Sequence, residues 1–166
     1  MQEASGQPQD SSGTGNHTTA TGGTPTYSQT TGIAEVGDTA ILFDNASSEY
    51  FGAPDHATLD FGDTFTLEAW IQRSTADASG EDCIVSKGND GSASSGGLYV
   101  LNGDLMLAEC AVNVIRYGAT PLTDTKWHHV AATKSGATVN IYIDGALSNG
   151  SSITSPTLAN TTTALA

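Results

Sequence analysis

Strict alternation of apolar and polar side chains over short segments is the feature that most limits what this chain can fold into. In residues 65–71, Phe-Thr-Leu-Glu-Ala-Trp-Ile, every second residue from Phe65 is apolar, whereas Trp70 occupies a position of the opposite face. Residues 139–143, Val-Asn-Ile-Tyr-Ile, repeat this alternation. Successive side chains of a β-strand point to opposite faces, so both segments are predicted to be half-buried strands.

Turn signals between the apolar segments predict hairpins. Asp144-Gly145 follows the second strand, and Asn102-Gly103 separates two further apolar runs. Both dipeptides favour two-residue hairpin turns. No window keeps helical periodicity over the roughly ten residues that a helix needs. The sequence therefore predicts an all-β sandwich or barrel of short antiparallel strands, with these core residues: Phe65, Leu67, Ile84, Val130, Ile141 and Ile143.

Length and charge limit the partners. The chain has 166 residues, which is the size of one domain, and a formal net charge of −13. So negative a protein is repelled by phosphate backbones and anionic membrane surfaces, and we expect no nucleic-acid partner. No segment approaches the ~18 consecutive apolar residues of a membrane helix, so no membrane insertion is expected. The first residues also lack the basic and then apolar pattern of a secretory signal.

The two cysteines, Cys83 and Cys110, are too few for a disulfide framework and lack the paired spacing of a zinc site. We expect two buried free thiols. A single disulfide is disfavoured, because the predicted antiparallel strands place the two sulfur atoms at opposite ends.

Residues 1–32 differ in composition from the rest. They contain no Val, Ile, Leu, Phe or Trp and consist mainly of Gly, Ser, Thr, Gln and Asn. Composition alone predicts a flexible leader. The domain organisation is therefore a leader over 1–32 and a β-sandwich over 33–166.

Segments in a fixed order carry a family resemblance. They read Ala-Ile-Leu-Phe-Asp, Glu-Tyr-Phe, Phe-Thr-Leu-Glu-Ala-Trp, Trp-His-His-Val-Ala and Asn-Ile-Tyr-Ile-Asp-Gly, at residues 40–44, 49–51, 65–70, 127–131 and 140–145. Together they resemble the laminin-G-like jelly-roll domains of the concanavalin A-like lectin/glucanase superfamily. The resemblance implies a two-sheet antiparallel jelly-roll sandwich. It also implies that residues 1–32 wrap the sandwich as an ordered ribbon poor in strands, instead of forming a free tail.

Two departures from the family pattern concern the terminal strands. Similar domains begin with a short aromatic-containing strand and finish with a segment resembling Gly-x-Ile-Asp-Glu-Val, and this sequence has neither. Missing strands leave backbone donors and acceptors that another chain can pair with. We therefore expect self-association or a neighbouring chain that completes the sheet, unless the sequence is a piece of a longer protein.

Catalysis is not expected. Retaining glycoside hydrolysis needs two carboxyl groups ~5 Å apart, and Glu68 is the single acidic residue on its strand. His128 and His129 are neighbours on a predicted strand, so their side chains point to opposite faces and cannot bind one metal ion together. We expect one imidazole to be packed or hydrogen-bonded and the other to be solvated.

Calcium is the possible cofactor. Asp10, Ser12, Thr14 and Asn16 alternate through an oxygen-rich loop with glycines, and hard oxygen ligands suit Ca²⁺. The family resemblance adds that related domains often hold calcium near this loop, so Asp10 and Asn16 are the candidate ligands. The alternative is a Ser/Gly turn in which Asp10 caps backbone amides.

Glycan binding is predicted near loops rich in Asn and Asp, because sugar rings stack on exposed aromatic side chains whose polar tips bind hydroxyl groups. The candidate residues are Asn89, Asp90, Tyr99 and Tyr117.

Two functions follow from the resemblance. The first is a non-enzymatic recognition or adhesion module that holds a glycan or a protein surface with loops at the sandwich rim or with the polar face of one sheet. The alternative is a structural virion protein, such as a phage capsid decoration or tail component, completed by neighbouring chains. Both imply an extracellular location or a virion surface. Fold alone does not decide between them.

Overall fold

The computed structural model describes residues 7–30, 39–76, 79–88, 96–109, 113–152 and 165–166. The chain forms two compact units, residues 1–59 with 163–166 and residues 60–162. Its strands are, in chain order, β1 (Ala20–Gly22), β2 (Thr26–Thr30), β3 (Thr39–Leu42), β4 (Tyr50–Gly52), β5 (Thr64–Gln72), β6 (Glu81–Lys87), β7 (Gly96–Leu101), β8 (Asp104–Glu109), β9 (Asn113–Gly118), β10 (Trp127–Ser135), β11 (Thr138–Ile143), β12 (Ala146–Leu147) and β13 (Asn149–Ser152). Within the described ranges, helical structure is limited to the 3₁₀ turns Asn45–Ser47 and Ala57–Leu59. None of it has the length and hydropathy to cross a lipid bilayer.

The first unit contains two small antiparallel ribbons. Strand β1 pairs with β4, and β2 pairs with β3. Leu165 forms an isolated bridge with Ala53 and so joins the same unit. The aromatic ring of Phe51 contacts the rings of Tyr27 and Phe43, with centroid distances of 6.0 and 5.5 Å. These contacts give the unit a small aromatic cluster.

The second unit consists of two antiparallel sheets. One has four strands in the order β12-β11-β10-β5, and the other has five in the order β13-β9-β8-β7-β6. The register places Val130 opposite Ala69 of β5 and opposite Ile143 of β11. The apolar positions of the three long strands therefore share one face. This arrangement is the predicted two-sheet antiparallel sandwich.

The two predicted hairpins are present. Asn102 and Gly103 join β7 to β8 with φ values of 50° and 88°, and Asp144 and Gly145 join β11 to β12 with values of 52° and 78°. Type I′ turns require positive φ at both central residues, which Asn, Asp and Gly tolerate. These short turns fix the register of the strands that they connect.

The core lies between the inner faces of the two sheets. Strand β11 packs against β8 and β9, and a Cβ added to Gly118 would lie 3.5 Å from Cγ2 of Ile141. Both sheets contribute deeply buried apolar side chains, among them Leu98, Val100, Leu105, Leu107, Val130, Ala132, Val139 and Ile141.

The predicted core residues fall into two groups. Val130 and Ile141 are fully buried, and Ile143 is 8% exposed. Phe65, Leu67 and Ile84 are only half-buried, because they lie on β5 and β6, which are the last strands of their sheets as ordered in the described residues.

The chain crosses from the four-stranded to the five-stranded sheet at Ser148 and Asn149. The backbone N–H of Ser148 donates to the carbonyl oxygen of Ile141, and Oγ of Ser148 accepts from the backbone N–H groups of Ala119 and Thr120. Asn149 accepts from the backbone N–H of Ile141 through Oδ1 at 2.8 Å. Side-chain hydrogen bonds thus fasten the two sheets together at this end.

Cys83 is exposed, so the prediction of a buried thiol is wrong for this residue. It lies on β6, the last strand of the five-stranded sheet as described, where a side chain is not covered by a further strand. Cys110 lies outside the described residues.

Candidate functional site

The four-stranded sheet has a second face, on the side away from the core, that carries exposed aromatic and polar side chains. We call it the outer face; on the three long strands it comprises Thr64, Thr66, Glu68, Trp70, Gln72, Trp127, His129, Ala131, Thr133, Ser135, Thr138, Asn140 and Tyr142. On β5 these positions are exposed and alternate strictly with half-buried ones. The period of two that defines the strand therefore also defines the outer face.

Trp70 is the most prominent side chain of the outer face. It is 53% exposed, although an indole is among the largest apolar groups that a strand can bury. His129 lies directly opposite on β10, and the two rings pack with a centroid distance of 5.3 Å and an interplanar angle of 59°. This contact supports the indole from one side and leaves more than half of the residue open to solvent.

A small residue lies next to this aromatic pair. Ala131 is opposite Glu68 on one side and Tyr142 on the other, and it is 6% exposed. Its neighbours on β10 are the longer side chains of His129 and Thr133. Ala131 therefore presents only a methyl group to the outer face, between longer side chains.

Glu68 brings a carboxylate to the same face as Trp70. Its side chain is 64% exposed, and Oε2 lies 3.7 Å from Nε2 of His129. This distance exceeds that of a hydrogen bond, so the carboxylate oxygen keeps acceptor capacity toward a ligand.

One edge of the outer face is held by an imidazole between two carboxylates. Nε2 of His128 lies 2.9 Å from Oδ1 of Asp124, and Nδ1 lies 2.8 Å from Oδ2 of Asp144. The second oxygen of Asp144 accepts the backbone N–H of His129 at 3.0 Å, and the backbone N–H of Asp144 donates to the carbonyl oxygen of His129. The same aspartate therefore fixes the backbone of the residue that supports Trp70.

The charges in this bridge reinforce each other. Burial opposes the charged form of His128, but hydrogen bonds to Asp124 and Asp144 and the charges of both carboxylates outweigh it and raise the pKa of His128. The hydrogen bond from His128 is the main reason why the pKa values of Asp124 and Asp144 are lowered. With both ring nitrogens facing carboxylates, the imidazolium is the form that satisfies the two hydrogen bonds together.

The predicted calcium loop is organised around Asp10. Its carboxylate accepts hydrogen bonds from the backbone N–H groups of Ser12 and Asn16 and from the hydroxyl of Thr14, at 2.7 to 2.8 Å. Hydrogen bonds from the hydroxyls of Ser12 and Thr14, followed by those from the backbone, hold the pKa of Asp10 far below its usual range. The side-chain amide nitrogen of Asn16 donates to Thr58 at 2.7 Å.

These contacts favour the turn interpretation of the loop. The N–H and O–H donors converge on the carboxylate, whereas a calcium site directs oxygen atoms toward one centre. An open depression adjoins the loop and is also bordered by Thr58 and Leu59.

No group of three His, Cys, Asp or Glu side chains suited to a metal ion occurs within the part of the chain that the structure describes. Calcium at Asp10 and Asn16 stays a prediction.

The predicted glycan residues are not brought together with Trp70. Tyr99 is 3% exposed and packs in a cluster with Met106 and Ala108, against which Tyr117 also packs. A ring this buried offers no face to a sugar. Strand β7 is buried on both faces, so its tyrosine is not the exposed aromatic that the nearby polar loop suggested. Asn89 and Asp90 lie outside the described residues.

The glycan residues predicted from the sequence do not include Trp70, although the sequence pattern marks it. It is the one aromatic residue at a polar position of the alternating segment 65–71. The prediction for the environments of His128 and His129 is confirmed in part. His128 is hydrogen-bonded as expected for one imidazole, while His129 packs against Trp70 and its side chain is 31% exposed.

Comparison with known proteins agrees with this architecture. A laminin-G-type family model, described as the concanavalin A-like lectin/glucanases superfamily, matches residues 44–166. A search of the curated proteins found no match to the chain. The matched residues make up well over half of the sequence and include both sheets of the sandwich. The chain therefore belongs to the laminin-G-like domains of the concanavalin A-like lectin/glucanase superfamily.

Proposed function

We propose that this chain is a non-enzymatic recognition module that holds a glycan on the outer face, with Trp70 as the stacking platform. The observation that carries the proposal is the 53% exposure of Trp70 on a regular strand, supported by the ring of His129. One face of a pyranose ring presents C–H groups that pack on an indole, and fixing the indole in advance lowers the entropic cost of binding. Domains of this superfamily are often carbohydrate- or protein-binding modules.

The side chains around Trp70 suit the hydroxyl groups of a sugar. Glu68 and Gln72 flank it on β5 at spacings of two residues, which correspond to about 7 Å along a strand. Thr133 and Asn140, which are opposite each other in the register, bring a hydroxyl and an amide to the same face. These groups offer both donors and acceptors on the face that carries Trp70.

The acidic residues support the non-enzymatic part of the proposal. A glycosidase needs a carboxylic acid with a raised pKa as its proton donor. Asp124 and Asp144, which share the imidazole of His128, have lowered pKa values instead. Hydrogen bonds to His128 also occupy one oxygen of each. We therefore assign this pair a structural role at the edge of the outer face.

The test is glycan-array screening of the wild type and of Trp70→Ala, followed by calorimetry on any glycan that binds. We expect Trp70→Ala to weaken binding by about tenfold or more, since stacking and buried apolar area are lost together. Leu147→Ala is the matched control, because Leu147 is 61% exposed on β12 of the same sheet and its loss removes surface apolar area without an aromatic platform. Binding that Trp70→Ala leaves unchanged would refute the assignment of this face.

A structural virion role is the second candidate, and one observation favours it. Among the described residues, β5 pairs with β10 and with no other strand, which leaves its second edge open to a neighbouring chain. Light scattering distinguishes the candidates: a stable oligomer without glycan affinity supports the structural role, whereas glycan binding by a monomer supports recognition. Both roles imply an extracellular location or a virion surface.

A further inference from the structure

The outer face carries an acidic side chain but no lysine or arginine. None of the outward positions of β5, β10 and β11 carries a lysine or an arginine. Its titratable groups are Glu68, His129 and the phenol of Tyr142, with Asp144 at the edge next to His128. Lys134 is on the same sheet but is buried on the core side and paired with Asp63. The exposed carboxylate of Glu68 therefore has no lysine or arginine beside it on this face.

The position of Glu68 relative to Trp70 adds geometry to this charge. The two residues are two positions apart on β5 and therefore share a face, with their Cα atoms about 7 Å apart. A ring stacked on the indole extends a substituent toward the carboxylate over this distance. Ala131, directly opposite Glu68 on β10, has only a methyl side chain.

We propose that the glycan recognised at Trp70 carries a free amino sugar, with its ammonium group bound by Glu68 and its ring stacked on the indole. This inference rests on the proposed function and specifies its ligand. An ammonium group gains from the ring face of Trp70 as well as from the carboxylate, because an indole attracts cations. The net charge of −13 attracts a polycationic glycan and repels sulfated, sialylated or uronate-containing ones.

Calorimetry in mildly acidic buffer, in which the amines of a chitosan oligosaccharide are protonated, tests the proposal on the full chain with three oligosaccharides of equal length. The probes are a chitosan tetrasaccharide with free amines, its fully N-acetylated counterpart and a heparin tetrasaccharide. We expect the wild type to bind the free amine form about three- to fivefold more tightly than the acetylated form, as for an exposed ion pair. High salt should reduce this preference, and heparin should not bind.

Two variants assign the preference to the face. Glu68→Gln keeps the shape of the side chain and is expected to abolish the preference for the free amine while leaving binding of the acetylated probe within twofold. Glu81→Gln is the control, since it removes one negative charge from β6 of the other sheet. We expect it to retain most of the preference.

The possible outcomes distinguish a failure of the amino-sugar proposal from a failure of the proposed glycan site at Trp70. Equal binding of both chitin-derived probes that still depends on Trp70 refutes the amino-sugar proposal and leaves the proposed function standing. A preference that Glu81→Gln reduces as much as Glu68→Gln also refutes it, because net charge then explains the effect. If no glycan of the probes or the array binds in a manner that depends on Trp70, both proposals fail.

Discussion

Nζ of Lys134 lies 2.8 Å from Oδ1 of Asp63, and the lysine side chain is only 1% exposed. The same nitrogen donates to the carbonyl oxygen of Gly136 at 2.8 Å. A second buried lysine, Lys87 of the five-stranded sheet, pairs with Asp60. Residues 60–63 therefore hold one lysine from each sheet of the sandwich through the two acids at their ends.

Removal of Asp63 is expected to destabilise the fold more than removal of the lysine that it binds. Asp63→Ala leaves a buried ammonium group that still donates to the carbonyl oxygen of Gly136 but has lost its carboxylate, which costs about 2–3 kcal/mol. Lys134→Met replaces the buried charge by an apolar side chain of similar length, and we expect a change below about 1 kcal/mol. Urea unfolding of the two variants measures this difference in the free energy of unfolding. Equal losses would contradict the claim that the unpaired buried charge causes the cost.

The bridge from His128 to Asp124 and Asp144 predicts how stability depends on pH. The pKa of His128 is raised in the folded state, so its contribution is complete below about pH 6.5, the unfolded value, and is lost as the pH rises through the folded value. The two aspartates have lowered pKa values, so their contribution is present above about 3.8 and is lost as the pH falls. We therefore expect the bridge to stabilise most between these limits.

His128→Gln isolates this contribution. The glutamine donates to one carboxylate and carries no charge, so the stability difference from the wild type is expected to be largest in mildly acidic buffer and to shrink above neutrality. Thermal unfolding followed across the pH range gives the profile. A difference that grows with rising pH would contradict the charged form of His128.

The sequence predicts the strands and hairpins well and the site less well, for physical reasons. Alternation along 65–71 and 139–143 identifies both strands, and the turn dipeptides identify the hairpins, because these features depend on neighbouring residues. The burial of Tyr99 depends on what covers β7 from both sides, which no local pattern contains. The bridge of His128 joins residues 124 and 144, which only the pairing of β10 with β11 brings together.

Because β6 and β7 pack closely at Gly97, a larger residue at this position is expected to destabilise the fold. A Cβ at this position would lie 2.3 Å from the carbonyl oxygen of Val85 and 2.9 Å from Cα of Ser86, both of which are backbone atoms. Gly97→Ala therefore forces the two strands apart and is expected to destabilise by about 1–3 kcal/mol.

Gly62→Ala is the control for Gly97→Ala, since a Cβ there meets no atom within 4 Å. We expect this control to be neutral or slightly stabilising, because alanine restricts the unfolded chain more than glycine does. Denaturant midpoints compare the two variants, which share the same glycine-to-alanine substitution. Equal effects would mean that β6 and β7 adjust freely around position 97.

The hydrogen bonds of Asp10 predict that this residue stabilises its loop without a bound metal ion. Asp10→Ala removes the acceptor of the backbone N–H groups of Ser12 and Asn16, so we expect a lower melting temperature with or without calcium. The lowered pKa of Asp10 implies that its contribution is present above about pH 3.8 and is lost as the pH falls further. Millimolar calcium is expected to leave the melting temperature of the wild type unchanged, because N–H and O–H donors already occupy the carboxylate. A rise with calcium that disappears in Asp10→Ala would instead establish the calcium site and make the turn its framework.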